Sequence, residues 1–514
     1  MSTVDRSAGT GPSRREFLGR LARGGAGLAV AGGALPLLSG QATGAVPRIT
    51  VLTGATLIDG TGRPPRRNAT VVLADDRIVA VGSLDRTAIP AGATVVHLHG
   101  KYVIPGLWDM HVHTSPIPEI YPPLYVVNGV TGIREMYGFS PALHDLRDRI
   151  ESGSLLGPRM VIASTIIDGP HSIHESSGAA VVETAAEARA AVRTAVDKGA
   201  DFVKGYSFLH PEPFAALAEE ARRVGLPFAG HVPDRVSAWT ASSTGLDCFE
   251  HLFGTFFATS TKEGELRRRL TSVPVDPEQP WAWMALAREL ERQSLASHSP
   301  RRAAAFFHHL RRNGTWQSPT LNVLHAQSLP IEEFDLADPR LEYLPPGTAE
   351  FWLEQLRYTA PSTPEEIENL RRLFAAQQRM VRDLDEAGVQ LIAGTDSNNP
   401  FCYPGFGLHD ELALLVDAGL SPMRALQLAT RDAARYLGRE RTAGTVAPGK
   451  VADLVVLEDD PLADIRNTQR IHSVVSRGRY LSPEKRTEML ADIKKAASEA
   501  AGTAAPAACC GTRS

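Results

Sequence analysis

Apolar positions in this chain follow two rhythms, and the change between them divides the sequence. Residues 49–81, ITVLTGATLIDG and then NATVVLADDRIVAVG, set short β-branched runs between glycine and aspartate turn signals, which predicts small antiparallel strands. A matching set returns near the other end, in GTVAPGKVADLVVL at 444–457 and again over 471–480. Neither set can bury a core alone. They are therefore expected to meet in one small β domain assembled from residues 46–103 and 441–486, with a larger domain inserted between them.

The inserted stretch alternates short apolar runs with amphipathic segments. Strand candidates fall at 103–115, 126–136, 159–168, 201–206, 226–231, 246–251, 315–321 and 389–396. Among the helices, Thr184 and Glu187 form a capping box, Ala188, Ala191, Val192, Ala195 and Val196 make one apolar stripe, and Gly199 stops it. Ser421 and Pro422 open another helix that Gly438 closes. Eight strand and helix alternations predict an α/β fold, a closed parallel (β/α)8 TIM barrel over 104–440, in which function gathers at the C-terminal strand ends.

Composition narrows the partners. A chain of 514 residues, 43% hydrophobic and 22% charged, suffices for one large and one small domain, and its formal net charge of −4 supplies no basic field for nucleic acid. A small-molecule substrate is the expected partner, with homo-oligomerisation left open. At the N-terminus, Ser13-Arg14-Arg15-Glu16-Phe17-Leu18 precedes a glycine- and alanine-rich run at 24–38 and small residues at Thr43 and Ala45. Residues 1–45 thus resemble a twin-arginine signal, which implies export to the periplasm or the exterior. The run is too short and glycine-rich for a spanning helix, so no stable membrane insertion is expected after signal removal. Residues 487–514 are alanine-rich and expected to be disordered, and no disulfide is assigned among Cys248, Cys402, Cys509 and Cys510.

Candidate chemistry starts in VIPGLWDMHVHTS, where His111 and His113 stand two residues apart and so share one face of a strand. Imidazole pairs of this kind suit zinc, although a chance pair among 16 histidines is the competing reading of this stretch alone. Further along, Lys204, His231, His251 and Asp396 end candidate strands four, five, six and eight. Singly, each is more often a satisfied structural group or a solvated charge. Placed together on one barrel rim, they point to metal.

These segments, PGLWDMHVH, GADFVK, FAGHVP, FEHLFG, IAGTD and the closing GTVAPGKVADLVVL, give the chain a resemblance to the amidohydrolase superfamily over about 51–480. The resemblance implies a metal-dependent hydrolase on a distorted barrel with a small composite β-sandwich. Carried over by motif, it implies two divalent metal ions, zinc, with His111, His113 and Asp396 on one and His231 and His251 on the other. It also implies carbon dioxide bound as a carbamate on Lys204, whose two anionic oxygens span both ions, as an ammonium could not. The implied mechanism is attack by a metal-bridging hydroxide, with Asp396 as the catalytic proton shuttle.

Within the superfamily, the look of GADFVK and the single-histidine strands is most similar to the imidazolonepropionase-related branch and its Xaa-Pro dipeptidases. Hydrolysis of an amide bond in a dipeptide or N-acyl amino acid is the expected activity. A cyclic amide hydrolase, lactonase or deaminase on the same scaffold is the alternative, and a non-catalytic relative is disfavoured because no ligand is missing. Tyr137, His171, His174, Tyr206 and Tyr403 are the candidate substrate-binding residues. Two departures bear on substrate: the loop after strand three reads GPHSIHESS rather than a glycine-rich GGHG, and residues 259–312 form a long insertion. Its arginines, Arg267 to Arg269, read as a solvated face or as part of a lid over the barrel mouth.

Overall fold

Gly106 separates the two sheets of the molecule. The computed structural model describes residues 48–500 apart from 84–86, 88, 139 and 358–359, so the expected export signal at 1–45 lies outside the described residues. The chain opens with β1 (Ile49–Leu57), β2 (Arg66–Ala74), β3 (Arg77–Ser83), β4 (Thr94–His97) and β5 (Tyr102–Pro105). It continues through β6 (Leu107–Val112), β7 (Val130–Glu135), β8 (Arg159–Asp168), β9 (Ala180–Val181), β10 (Phe202–Gly205), β11 (Phe228–Gly230), β12 (Cys248–Glu250) and β13 (Trp316–Ser318). The last strands are β14 (Leu454–Leu457), β15 (Ile471–Ser476) and β16 (Arg479–Leu481).

The first sheet runs β16-β15-β14-β5-β1-β2-β3, with β4 added in parallel to β1. Its centre is the antiparallel pair β5 and β14, with Pro105 opposite Leu454 and Tyr102 opposite Leu457, so both ends of the chain share one sheet. Leu52, Leu73, Val103, Leu454 and Val456 form part of its buried core. At Gly106 the backbone donates to the Asp453 carbonyl at 2.8 Å, and a β-carbon there would stand 2.2 Å from Thr131 Oγ1. Only glycine lets the chain pass this close to β7 as it enters the barrel.

In the second sheet β6, β7, β8, β10, β11, β12 and β13 pair in parallel, and β9 adds to β8. Strand two is shorter than expected, because Tyr121–Val127 is a helix and the strand starts at Val130. The expected eighth strand is an irregular closing segment: Leu391 bridges Gln317, and Ser397 bridges Val112. Backbone bonds from Met110 to Ala393 (2.9 Å) and from Asp396 to His111 (2.8 Å) complete the ring. The buried Asp109 carboxylate accepts the Thr395 N–H at 3.0 Å and its hydroxyl at 2.7 Å, taking the place of ladder bonds, and the left-handed Asp396 and Asn398 end any strand geometry. Trp108, Met110, Val161, Phe202, Ala229, Trp316 and Ile392 help fill the interior, so the barrel is a packed core whose chemistry is confined to its rim.

The capping box at Thr184 and Glu187 is present and opens the helix Ala185–Asp197. The helix expected over 421–438 is broken in two, Pro422–Leu428 and Arg431–Tyr436, because the Ala429 carbonyl turns inward to accept Trp108 N–H at 2.7 Å. The expected disordered tail is also corrected. Pro483–Glu499 is a helix, capped by the Ser482 side chain, that buries Met489, Ile493 and Ala497 on one face. Covering a Met and an Ile contributes about 1.5–3 kcal/mol each before entropy, which alanine-rich composition had obscured. Residues 501–514 lie outside the described residues.

Candidate metal centre

Four imidazoles, one lysine and one carboxylate converge at the C-terminal rim, all buried: His111, His113, Lys204, His231, His251 and Asp396. His111 lies in β6 and His113 just beyond it, Lys204 lies in β10, and His231 and His251 directly follow β11 and β12. Asp396 Oδ1 stands 2.9 Å from His113 Nε2 and 3.3 Å from His111 Nε2. Donors about 2.0–2.1 Å from a tetrahedral zinc stand roughly 3.3 Å apart, so this spacing fits an ion. The ring centroids of His111 and His251 are 4.7 Å apart and those of His231 and His251 are 4.9 Å apart, which continues the cluster across the rim.

Three of the four rings are held from behind. His111 Nδ1 meets Glu250 Oε2 at 2.7 Å, His231 Nδ1 meets Ser207 Oγ at 2.8 Å, and His251 Nδ1 meets Thr320 Oγ1 at 2.7 Å. With Nδ1 engaged, Nε2 of His111 faces Asp396, and Nε2 of His231 is buried with no hydrogen-bond partner. A buried imidazole nitrogen with nothing to bond is costly unless an ion takes it. The residues therefore fit divalent metal. Backbone strain gathers here too: His251 and Asp396 both hold φ of 61° and Thr320 holds 52°, positions that cost about 1–3 kcal/mol each and mark functional sites. Gly394 permits the closing segment to approach, since a β-carbon there would lie 2.8 Å from His111 Cβ.

Electrostatics agree with neutral ligands. Burial pushes His111 and His231 well below the ordinary imidazole pKa and His251 down to about 4, and the Lys204 ammonium adds to the effect at each. Burial opposes ionisation of Asp396, but His111, His251 and His113 outweigh it and hold the carboxyl well below its usual range. Glu135 accepts N–H bonds from Thr114 and Tyr137, and burial pushes it up to about 8. Lys204 is 1% exposed, and among the described residues no carboxylate lies within ion-pair distance of its Nζ.

The candidate pocket residues divide. Tyr206 stacks on His231 at 4.0 Å, His174 meets Tyr206 at 5.0 Å, and Tyr137 meets His174 at 5.8 Å, so these three form an aromatic wall beside the imidazoles. His171 is not brought in: it is exposed on the same loop, with φ of 67°. Tyr403 belongs to a different cluster, with Trp352 at 5.6 Å and the Arg340 guanidinium 4.0 Å over its ring.

The insertion packs directly against this rim through the helices Glu263–Thr271 and Pro280–Ser294. Arg288 stacks 4.0 Å over Phe253, whose ring is 5.0 Å from both His231 and His251, and its guanidinium pairs with Asp234 and Glu291. Of the three arginines read as a solvated face or part of a lid, Arg268 and Arg269 are exposed, while Arg267 is half-buried, 5.0 Å over Phe257. Sequence reasoning missed Asp109, Arg134, Glu135, Ser207, Glu250 and Thr320. For Asp109, Arg134, Glu135 and Glu250 a signal existed, since charges inside otherwise apolar strand candidates need partners.

Comparison with known proteins then decides the family, because a model described as "Amidohydrolase family" matches residues 125–481. The chain belongs to the amidohydrolase family. It is accordingly a hydrolase acting on carbon–nitrogen bonds, in a family that is generally metal-dependent. Ochratoxinase of Aspergillus niger is 21% identical over 491 residues, 83% of this chain and 85% of that one. Adenine deaminase 2 of Jannaschia sp. (strain CCS1) is 33% identical over 138 residues, a match spanning only 22% of that enzyme. Among solved structures, a bottromycin amidohydrolase superposes with a TM-score of 0.68 at 26% identity, covering 88% of this chain and 91% of that one. An Xaa-Pro dipeptidase with bound methionine gives 0.60 at 20%, covering 84% and 100%.

Proposed function

We propose that the chain is an exported, binuclear amidohydrolase that cleaves an amide bond in a small substrate, a dipeptide such as Xaa-Pro or an N-acyl amino acid. The convergence of Lys204 with four imidazoles and Asp396 carries the reading. His111, His113 and Asp396 would hold one divalent ion, His231 and His251 the other, and Lys204, as its carbamate, would lie between. The chemistry such ions would supply there is acidification of a water and polarisation of a carbonyl. Among the described residues no carboxylate lies within ion-pair distance of the buried Lys204, and conversion to an anion between two cations would relieve the cost of burying an ammonium. Asp396, held ionised, takes the proton of the attacking water and delivers it to the departing nitrogen, which leaves poorly as an anion. Tyr137, His174 and Tyr206 offer ring surface where the substrate would orient.

The names of similar proteins support an amide substrate: one structure is of an amidohydrolase, another of an Xaa-Pro dipeptidase. A second reading, deamination, is favoured by the local match to adenine deaminase 2, but a lysine at strand four disfavours it. The arms of the test are dipeptides, N-acyl amino acids, lactones and aminated rings, each assayed for product with zinc and with chelator. Release of free amino acid that chelation abolishes supports the proposal. Ammonia release from an aminated ring, with every amide inert, replaces it with the second reading.

A further inference from the structure

We infer that Glu250, clamped by Arg134, is a positioning residue for His111, setting which of its nitrogens faces the metal and strengthening it as a donor. This rests on the metal-binding reading above. Arg134 and Glu250 are both 0% exposed and pair at 2.8 Å through Glu250 Oε1. The other oxygen, Oε2, is the one that meets His111 Nδ1. A buried ion pair is poor value for stability, because apolar residues of similar volume do as well or better. Its retention beside a ligand calls for another explanation.

The geometry supplies one. Arg134 donates through Nε to the Met110 carbonyl and through Nη1 to Tyr436 Oη at 3.1 Å. Its guanidinium lies 5.1 Å from the Tyr436 ring and 5.7 Å from the Phe202 ring. Held on these sides, it cannot follow Glu250, so Glu250 is fixed in turn. Ser207 and Thr320, behind His231 and His251, are neutral hydroxyls, whereas His111 has a carboxylate. A charged acceptor on Nδ1–H raises the donor strength of the opposite nitrogen. Glu250 reaches His111 as one half of a buried ion pair, its other oxygen 2.8 Å from the Arg134 guanidinium. Glu250 also immediately precedes His251, so one strand end carries one ligand and orients another.

A purely structural pair and a positioning pair differ in one readout. The metal-free full chain is titrated with Co2+, following its visible absorption, alongside thermal melting. Arg134→Met with Glu250→Leu removes both charges together, so melting should stay near the wild type while Co2+ affinity falls about 10- to 100-fold. Arg134→Met with Glu250→Gln should recover part of that loss, because the amide oxygen still accepts Nδ1–H. Wild-type affinity in both pairs overturns the inference. Should neither fold, Glu250→Asp keeps the charge beside Arg134 but draws it back from His111; weaker Co2+ binding supports the inference and unchanged binding overturns it. A wild-type chain that takes up no Co2+ overturns the metal reading and the inference with it, whereas normal uptake by every variant overturns the inference alone.

Discussion

Asp396 Oδ1 lies 2.9 Å from His113 Nε2, joining the closing segment of the barrel to the end of its first strand. The contact is the hinge of the proposed chemistry, since the same carboxylate is both a ligand and the base. Asp396→Asn keeps the shape and one oxygen but removes the basic charge. Turnover should fall about 10²- to 10⁴-fold with the fold intact, as read from initial rates beside a thermal melt. Near-normal turnover with metal retained would take Asp396 out of the mechanism.

Lys204→Ala should lower bound metal from about two per chain towards one and abolish most activity. Short-chain carboxylates added to the variant should restore part of both by filling the vacated space. Full metal content in the variant would show that Lys204 bridges nothing.

His409, away from the metal centre, gives a clean pH prediction. It is buried, with Nδ1 3.0 Å from Thr468 Oγ1 and Nε2 3.0 Å from the Asn128 carbonyl, and burial pushes it down from 6.5 to about 4. Above the unfolded value both states are neutral and there is no penalty. As pH falls from 6.5 towards 4 the unfolded chain takes the proton first, so stability is lost, by up to about 1.4 kcal/mol per pH unit. Urea unfolding of the wild type and His409→Gln at pH 7 and pH 5 should show a smaller acid loss in the variant. Equal losses would mean His409 is protonated in the fold.

The reach of the sequence is clearest at these residues. His111, His113, Lys204, His231, His251 and Asp396 were legible because strand period and strand ends dictate where a side chain points. That Glu250 and Arg134 need partners was legible from their apolar surroundings, but which partners was not, because those lie on different strands and only the closed ring brings them together. The eighth strand misled for a related reason: its apolar run signals burial, while Asp109, remote in sequence, takes the hydrogen bonds that would have made a ladder. The tail misled by composition, since three buried positions on one face suffice to dock a helix.

Export is tested by changing Arg14 and Arg15 together to lysine. Unprocessed precursor should collect inside the cell, detected by immunoblot of fractions. Mature protein outside the cytoplasm in that variant would refute the twin-arginine reading.

The most direct measurement is the metal content of the purified full chain by elemental analysis, with amide hydrolysis assayed on the same sample before and after chelation. The account predicts about two divalent ions per chain and activity that disappears and returns with them. A fully active chain with no bound metal would contradict it.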